Sequence, residues 1–406
     1  MTAIADARLR PIYDSRGRPT VEATVVLTSG ARGVAGAPSG ASTGRHEARA
    51  FPDGGAEESV RRFREWARPA LIGLEGDDQA AVDAALHAAD GTPDFGRLGG
   101  NAATATSVAT ALARANELGQ PLWERLRRPG ADPRSSPTIV GNCINGGRHA
   151  IGGPDIQEFH AIAPGPDAAS AIAAAIAVHA AIGTKLTARF PSAALGRGDE
   201  GGWVAPIGNV EAVELLAEAC AEVRDRTHAE VHPGLDLAAS EFFDDGRYRY
   251  REQSVDTDGQ VAFVADLVDR YGLRYLEDPL EEESFDGFAA LTRAVGAKTL
   301  VVGDDLYTTD VRRVKDGAER RATNAVLVKV NQVGTLTDAF ATVDFARAHG
   351  LANVVSHRSG EVPDTWLTHV AVGAAATGLK CGLLGGERVG KLNELLRLGA
   401  PPEPSR

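Results

Sequence analysis

NAVLVKVNQ, residues 324–332, surrounds a single lysine, Lys329, with alanine, valine and leucine. Apolar side chains at successive positions mark a parallel strand buried on both faces. A lysine in the middle of such a strand is costly unless a partner or a chemical task compensates it. Runs of the same character recur along the chain: PTIVGNCING (137–146), IQEFHAIA (156–163), HPGLDLAAS (232–240), LRYLEDPL (273–280), TLVVGDDL (299–306), ANVVSHRSG (352–360) and TGLKCGLL (377–384). Helical segments separate them, and strand alternating with helix implies a parallel sheet. About eight such strands match an α/β barrel, whose usual size is about 250 residues. An open doubly wound sheet is the rival topology, but no glycine-rich nucleotide fingerprint opens it.

Ahead of the repeat the pattern differs. PIYDSRGRPTVEATVVLTSGARGVAGAP (11–38) alternates apolar and polar residues around glycine turns, as a strand meander does. AEESVRRFREWARPALIG, DQAAVDAALHAAD and NAATATSVATALARANELG read as helices. A proline-rich stretch, LRRPGADPRSSPT (126–138), reads as the linker. The expected architecture is a capping α+β domain over residues 1–130 and a catalytic barrel over 131–406.

Composition narrows the partners. The chain is 43% hydrophobic and 24% charged, with a formal net charge of −12. That balance argues against nucleic acid or an anionic membrane, while leaving room for a small anion at a local site. Three scattered cysteines, Cys143, Cys220 and Cys381, support neither a disulfide framework nor a zinc cluster. The start lacks an apolar signal region, and the alanine-rich segment 171–183 is too short to span a bilayer. The expected compartment is the cytoplasm.

Charged residues stand at or near the strand ends: Asp236, Glu277, Asp304, Lys329, His357 and Lys380, the last five at about one βα unit per step. Any one of them alone reads as a core polar group or a helix cap. In phase, they ring the end of a barrel that carries active sites. Asp236, Glu277 and Asp304 would repel one another in a closed site unless a divalent cation joined them, and all-oxygen ligation suits magnesium. Burial and metal charge would lower the pKa of Lys329, freeing an amine to act as a base on a proton α to a metal-held carboxylate. Asp199 and Glu200 in GRGDEGGWVAP, or Glu158 next to Gln157 in IQEFH, offer a general acid. His357, Arg358 and Ser359 in SHRSGE make a phosphate cradle. The Gly/Ser-rich APSGASTGRHEA (37–48) reads as a lid.

YDSRGRPTVE, PSGASTG, INGGRHA, QEF, GDEGG, GLDLAASEFF, EDP, GDDL, LVKVNQVGT and SHRSGE resemble the enolase family, in order and across nearly the whole chain. The resemblance implies a (β/α)8 barrel with an irregular start, capped by an N-terminal α+β domain. It also implies a homodimer or higher oligomer, and a lyase that dehydrates the phosphorylated three-carbon acid 2-phosphoglycerate to phosphoenolpyruvate in glycolysis. The pairing of a lysine base with magnesium is a known feature of enolase-superfamily sites. Carried onto this chain, Asp236, Glu277 and Asp304 hold the first Mg2+, and Ser42 brings the lid to a second. Lys329 is the base, Glu200 the acid supported by Glu158, and His149 lies on a loop over the site. Lys380 meets the substrate carboxylate, Arg358 and Ser359 the phosphate, with His357 and Gln157 also at the substrate.

Some positions depart from the family pattern, among them Arg148 before His149, Trp203 after GDEGG, and CGLLGGER near the end. An extra cation at Arg148 would suit a second anionic substrate. That is the alternative reading: an enolase-like carboxyphosphonoenolpyruvate synthase of phosphonate biosynthesis, which joins a nucleotide-activated phosphonoformate to the three-carbon unit. A non-catalytic enolase-like binding protein is the third reading, disfavoured because an unused buried charged site destabilises a fold.

Overall fold

The computed structural model describes residues 2–41 and 43–400. Strands β1 (Ile4–Tyr13), β2 (Pro19–Leu27) and β3 (Arg32–Gly36) form an antiparallel sheet in that order. Along β2, Val21, Ala23, Val25 and Leu27 are buried while Glu22, Thr24 and Val26 are half-buried, the two-residue period of a sheet with one covered face. The helices read from sequence are present at Gly55–Arg62, Gln79–Asp90 and Gly100–Leu118. Asp78 caps the second of these by accepting from the Ala81 N–H.

Eight further strands close into a barrel: β4 (Thr138–Asn145), β5 (Glu158–Ala163), β6 (His232–Asp236), β7 (Tyr275–Glu277), β8 (Leu300–Gly303), β9 (Ala325–Val328), β10 (Ala352–Ser356) and β11 (Gly378–Gly382). Each pairs with the next, and β11 returns to β4. Two features differ from the sequence reading. First, β5 runs antiparallel to both neighbours. The link from Asn145 to Glu158 holds only a short turn at Gly147–His149, with no helix to carry the chain back, so the next strand must reverse. Second, Lys329 is not in mid-strand: β9 stops at Val328, and Val330–Val333 forms one helical turn. The lysine therefore caps the barrel wall instead of interrupting it.

Alternation sorts the wall into an apolar plug below and a polar floor above. Val140, Ile162, Tyr275, Val302, Ala325, Leu327 and Val354 pack together inside the barrel. Gly234 is required there, because a Cβ would stand 2.8 Å from Ile162 and Tyr275. One inward position higher stand Asn142, Glu158, Asp236, Glu277, Asp304, Lys329, Ser356 and Lys380. The segment judged too short for a membrane is part of a longer helix, Ala168–Arg189, which is 22 residues and apolar enough to cross one by length and composition. Its buried residues, among them Ala171, Ala175, Val178 and Leu186, pack on β4, β5 and the following helix.

The helix Gly100–Leu118 joins the two sheets. It is buried along most of its length, and two of its polar residues meet the barrel: Thr104 donates to Gly334 O at 3.0 Å, and Ser107 accepts from Leu336 N at 3.0 Å. Nearby, Asp83 accepts from Thr337, and His87 pairs with Asp338 at 2.8 Å. Hydrogen bonding to Asp338, with the charges of Asp83 and Asp90, raises His87 above its ordinary 6.5, although burial opposes this. A raised folded-state pKa contributes stability that is complete below the ordinary value and is lost as pH rises through the raised one. Thermal unfolding of wild type and His87→Gln should therefore differ most near about pH 5.5 and converge by about pH 8.5. A gap that is constant across that range would contradict the pairing.

Candidate active site

Asp236 and Glu277 are the last residues of β6 and β7 and are register partners; Asp304 follows the end of β8. Three neighbouring strands thus deliver three buried carboxylates to one end of the barrel. The Lys380 ammonium lies 2.9 Å from Asp236 Oδ2, 2.7 Å from Glu277 Oε1 and 3.5 Å from Glu158 Oε2. The other Glu277 oxygen accepts from the Tyr275 hydroxyl at 2.6 Å. Asp304 pairs with Lys329 and accepts from Gln332 Nε2 at 2.9 Å.

Burial, and next the Asp236 charge, push Glu277 well above the usual carboxylate range. Burial would also raise Asp236 and Asp304, but Lys380 and Lys329 outweigh it and hold both below. Lys329 departs from the sequence expectation of a lowered pKa. Burial does favour the neutral amine, yet the adjoining Asp304 carboxylate prevails and raises it.

The donor set suits a hard divalent cation. Asp236 and Glu277 already converge on one cationic atom, and Glu277 is driven toward protonation by burial and then by the Asp236 charge. Among the described residues, the tight groupings are Asp278–Asp304–Asp305, Glu158–His160–Asp236 and His149–Glu158–Glu200, each with ligand atoms within 4.8 Å of one another. Asp304 thus groups with Asp278 and Asp305, while Asp236 and Glu277 meet at Lys380. Asp278 adopts a left-handed φ of 39°, which aims its oxygens at the N–H groups of Asp304 and Asp305. Ser42 lies outside the described residues.

Across the floor, Glu158 and Glu200 flank the Asn142 amide, which donates to them at 3.1 and 3.2 Å. His149 Nδ1 is buried 3.3 Å from Glu158, and His357 Nε2 is 2.9 Å from Glu200 Oε2. Burial and the neighbouring Glu200 charge raise Glu158 to about 7. Burial acts to raise Glu200 as well, but His357, His149 and Arg388 hold it well below the usual range. The glycines around Glu200 are obligatory: a Cβ on Gly202 would stand 2.7 Å from Asn145 Oδ1 and 2.8 Å from Asn142 Oδ1. Trp203 pins the same loop to the helix Ala168–Arg189, donating to His179 O at 3.0 Å while its ring lies against Gly183.

Arg358 carries a buried bidentate pair with Glu47 of the lid segment, at 3.0–3.1 Å, and donates to Asn331 Oδ1. Ser359 Oγ accepts from Ala41 N at 2.6 Å, and Ser39 and Gly360 exchange backbone hydrogen bonds. Arg16 of the N-terminal sheet region reaches Asp199 at 2.9 Å. The lid is thus latched to the barrel, over a narrow cavity of about 20 Å³ lined by His149, Gln157, Glu158, Glu200, Lys329 and Arg358 among others. Gln157 Oε1 and both ring nitrogens of His160 are buried without hydrogen-bond partners. Arg148, by contrast, is 60% exposed and paired with Glu241.

Sequence reasoning passed over Asn142, His160, Asp278, Asp305, Glu47 and Arg388. Asp278 and Asp305 sit beside named acids in EDP and GDD, and Glu47 sits in the quoted lid, so adjacency was a usable signal. Arg388 had none.

The chain matches two family models, one described as the enolase N-terminal domain over residues 4–126 and one as the enolase C-terminal TIM barrel domain over 134–401. It is 47% identical over 403 residues to the enolase of Natronomonas pharaonis, covering 98% of this chain and 100% of that one. The enolase of Halorubrum lacusprofundi is 46% identical, covering 98% and 99% of the two chains. That of Methanothermobacter thermautotrophicus is 45% identical, covering 97% and 96%.

Removing one partner of a buried ion pair strands the other charge. Glu47→Ala should cost on the order of 3 kcal/mol in urea unfolding. A loss under about 0.5 kcal/mol, the range of surface pairs, would contradict a buried latch.

Proposed function

We infer, from a chain that belongs to the enolase family, that it is a carbon–oxygen lyase dehydrating 2-phosphoglycerate to phosphoenolpyruvate, the glycolytic step. One observation carries the reading: β9, which Lys329 follows directly, and β5, which begins at Glu158, stand directly across the barrel from each other. A three-carbon acid between them has one wall to take a proton from C2 and the other to assist departure of the C3 hydroxyl.

The roles follow from placement. Arg358 and Ser359 would take the phosphate where the lid contacts from Glu47 and Ala41 now sit, the guanidinium by its fork and the serine by its hydroxyl. Lys380 lies where it meets the substrate carboxylate. Asp236, Glu277 and Asp304 would hold one magnesium ion, and Ser42 a second. Bound magnesium neutralises these acids and the charge that gathers on the substrate carboxylate as the α-proton leaves. With Asp304 engaged by a bound cation, that carboxylate would no longer hold Lys329 charged, and the neutral amine takes the proton at its Nζ. The coupled Glu158–Glu200 pair, with Asn142 and His149 around it, is the acid group: Glu158, raised to about 7, holds the proton, and Glu200, ionised beside it, relays it to the departing hydroxyl oxygen. Gln157 Oε1 and His357 line the same side. The closed lid excludes water.

We also place the domain boundary at 130/131, the working form as a homodimer or larger, and the compartment as the cytoplasm. The lack of nucleic-acid or membrane partners rests on the acidic charge balance. The synthase reading relies on Arg148 to receive a second anion, and that guanidinium is already met by Glu241.

Purified protein given 2-phosphoglycerate and Mg2+ alone should form phosphoenolpyruvate and exchange the C2 proton with deuterated water. Exchange without elimination would transfer support to the condensation reading, and neither process would overturn both. Lys329→Met should lower both rates by about 10²–10⁴-fold, the usual worth of a general base. Turnover at the wild-type rate would remove Lys329 from the mechanism.

A further inference from the structure

Arg388, in the helix Gly386–Gly399, is a fully buried arginine at the edge of the site. Its Nη1 donates to His357 Nδ1 at 2.6 Å and to Arg358 O at 3.1 Å. Its Nη2 donates to Asp199 O at 2.8 Å and Ser359 O at 2.9 Å, and Nε lies 3.4 Å from Glu387. One guanidinium therefore ties the loop after β10 to the loop that carries Glu200. The Gly382 N–H also points at His357 Nδ1, at 3.3 Å.

A guanidinium and a backbone N–H can only donate. The nitrogen they both face must present its lone pair, so the neutral ring carries its proton on Nε2. That N–H points at Glu200 Oε2, 2.9 Å away.

We propose that Arg388 is a positioning residue that fixes His357 in its neutral Nε2–H form, so that a permanent N–H donor, and not a titrating imidazolium, holds Glu200 in place. The proposal rests on the reading of Glu200 as part of the acid group. Protonating His357 would put a proton on Nδ1, directly against the Arg388 cation. The charged groups facing the ring are Glu200 on the substrate side, with His160 below, and Arg388 and Glu361 behind. Glu361 is itself paired with Lys391 at 2.7 Å. Burial comes first among the influences on the ring, and together they depress it to about 4.

The test is the 15N spectrum of the histidine rings in the full-length wild-type protein, with His357 assigned by comparison with His357→Asn. The expected result is a bare Nδ1 and a protonated Nε2, unchanged between about pH 8 and about pH 5.5. A proton on Nδ1, or a ring that titrates in that window, would overturn the proposal. This measurement needs no turnover, so it stands even if the assigned reaction fails. Among variants, Arg388→Lys, which can still only donate, should keep the Nε2–H form. Arg388→Met removes the cation facing Nδ1 and should let the Nδ1–H form appear in the ring spectrum, with kcat down about 10–100-fold. A folded Arg388→Met protein whose His357 stays wholly in the Nε2–H form at wild-type kcat would also overturn it.

Discussion

Carboxylates delivered side by side into a buried pocket repel one another, and much of the structure around this site supplies the opposing charge. Two like charges about 4 Å apart cost about 4 kcal/mol at an effective dielectric near 20, a sizeable share of a fold's net stability. Here Asp236, Glu277 and Glu158 crowd around Lys380, Asp304 faces Lys329, Glu47 faces Arg358, and Glu361 faces Lys391. Even so, burial and then the Asp236 charge push Glu277 well up, and Lys380 beside it does not by itself keep it in the carboxylate range. A divalent ion supplies further positive charge, and the chemistry inferred for Lys329 depends on the same balance.

The barrel does not complete the site alone. The N-terminal sheet region contributes Arg16 to Asp199 and Glu47 to Arg358, while Pro38 O accepts from Asn331. The helix Gly100–Leu118 carries Thr104 and Ser107 where a free-standing domain would place apolar residues, because those two hydroxyls bond to barrel backbone. Docking of the cap and construction of the phosphate cradle are therefore one event.

Much of this was legible in the sequence, for physical reasons. Doubly buried strands announce themselves by continuous apolar runs, so every strand of the barrel could be located. Charged residues at their ends stand out against that background, which is how Asp236, Glu277, Asp304, Lys329 and Lys380 were found. The reversal of β5 was hidden, because its direction is set by the absence of a helix before it and not by any residue within it. The pairing of Lys329 with Asp304 was also hidden, since a lysine's pKa depends on which carboxylate faces it, and sequence spacing does not say. Arg388 lies in a helix whose start looks like an ordinary charged turn. Only folding shows that its fork reaches two loops.

The central claim is that the acids at the barrel mouth form a site for a divalent cation, and thermal unfolding with and without Mg2+ tests it most directly. A ligand that binds only the folded state at about 100 times its Kd adds about 2.7 kcal/mol. Wild type should therefore melt several degrees higher in saturating Mg2+ than in chelator, and Glu277→Gln should lose most of that rise. A wild-type melting temperature indifferent to Mg2+, or a rise that survives intact in Glu277→Gln, would contradict the account.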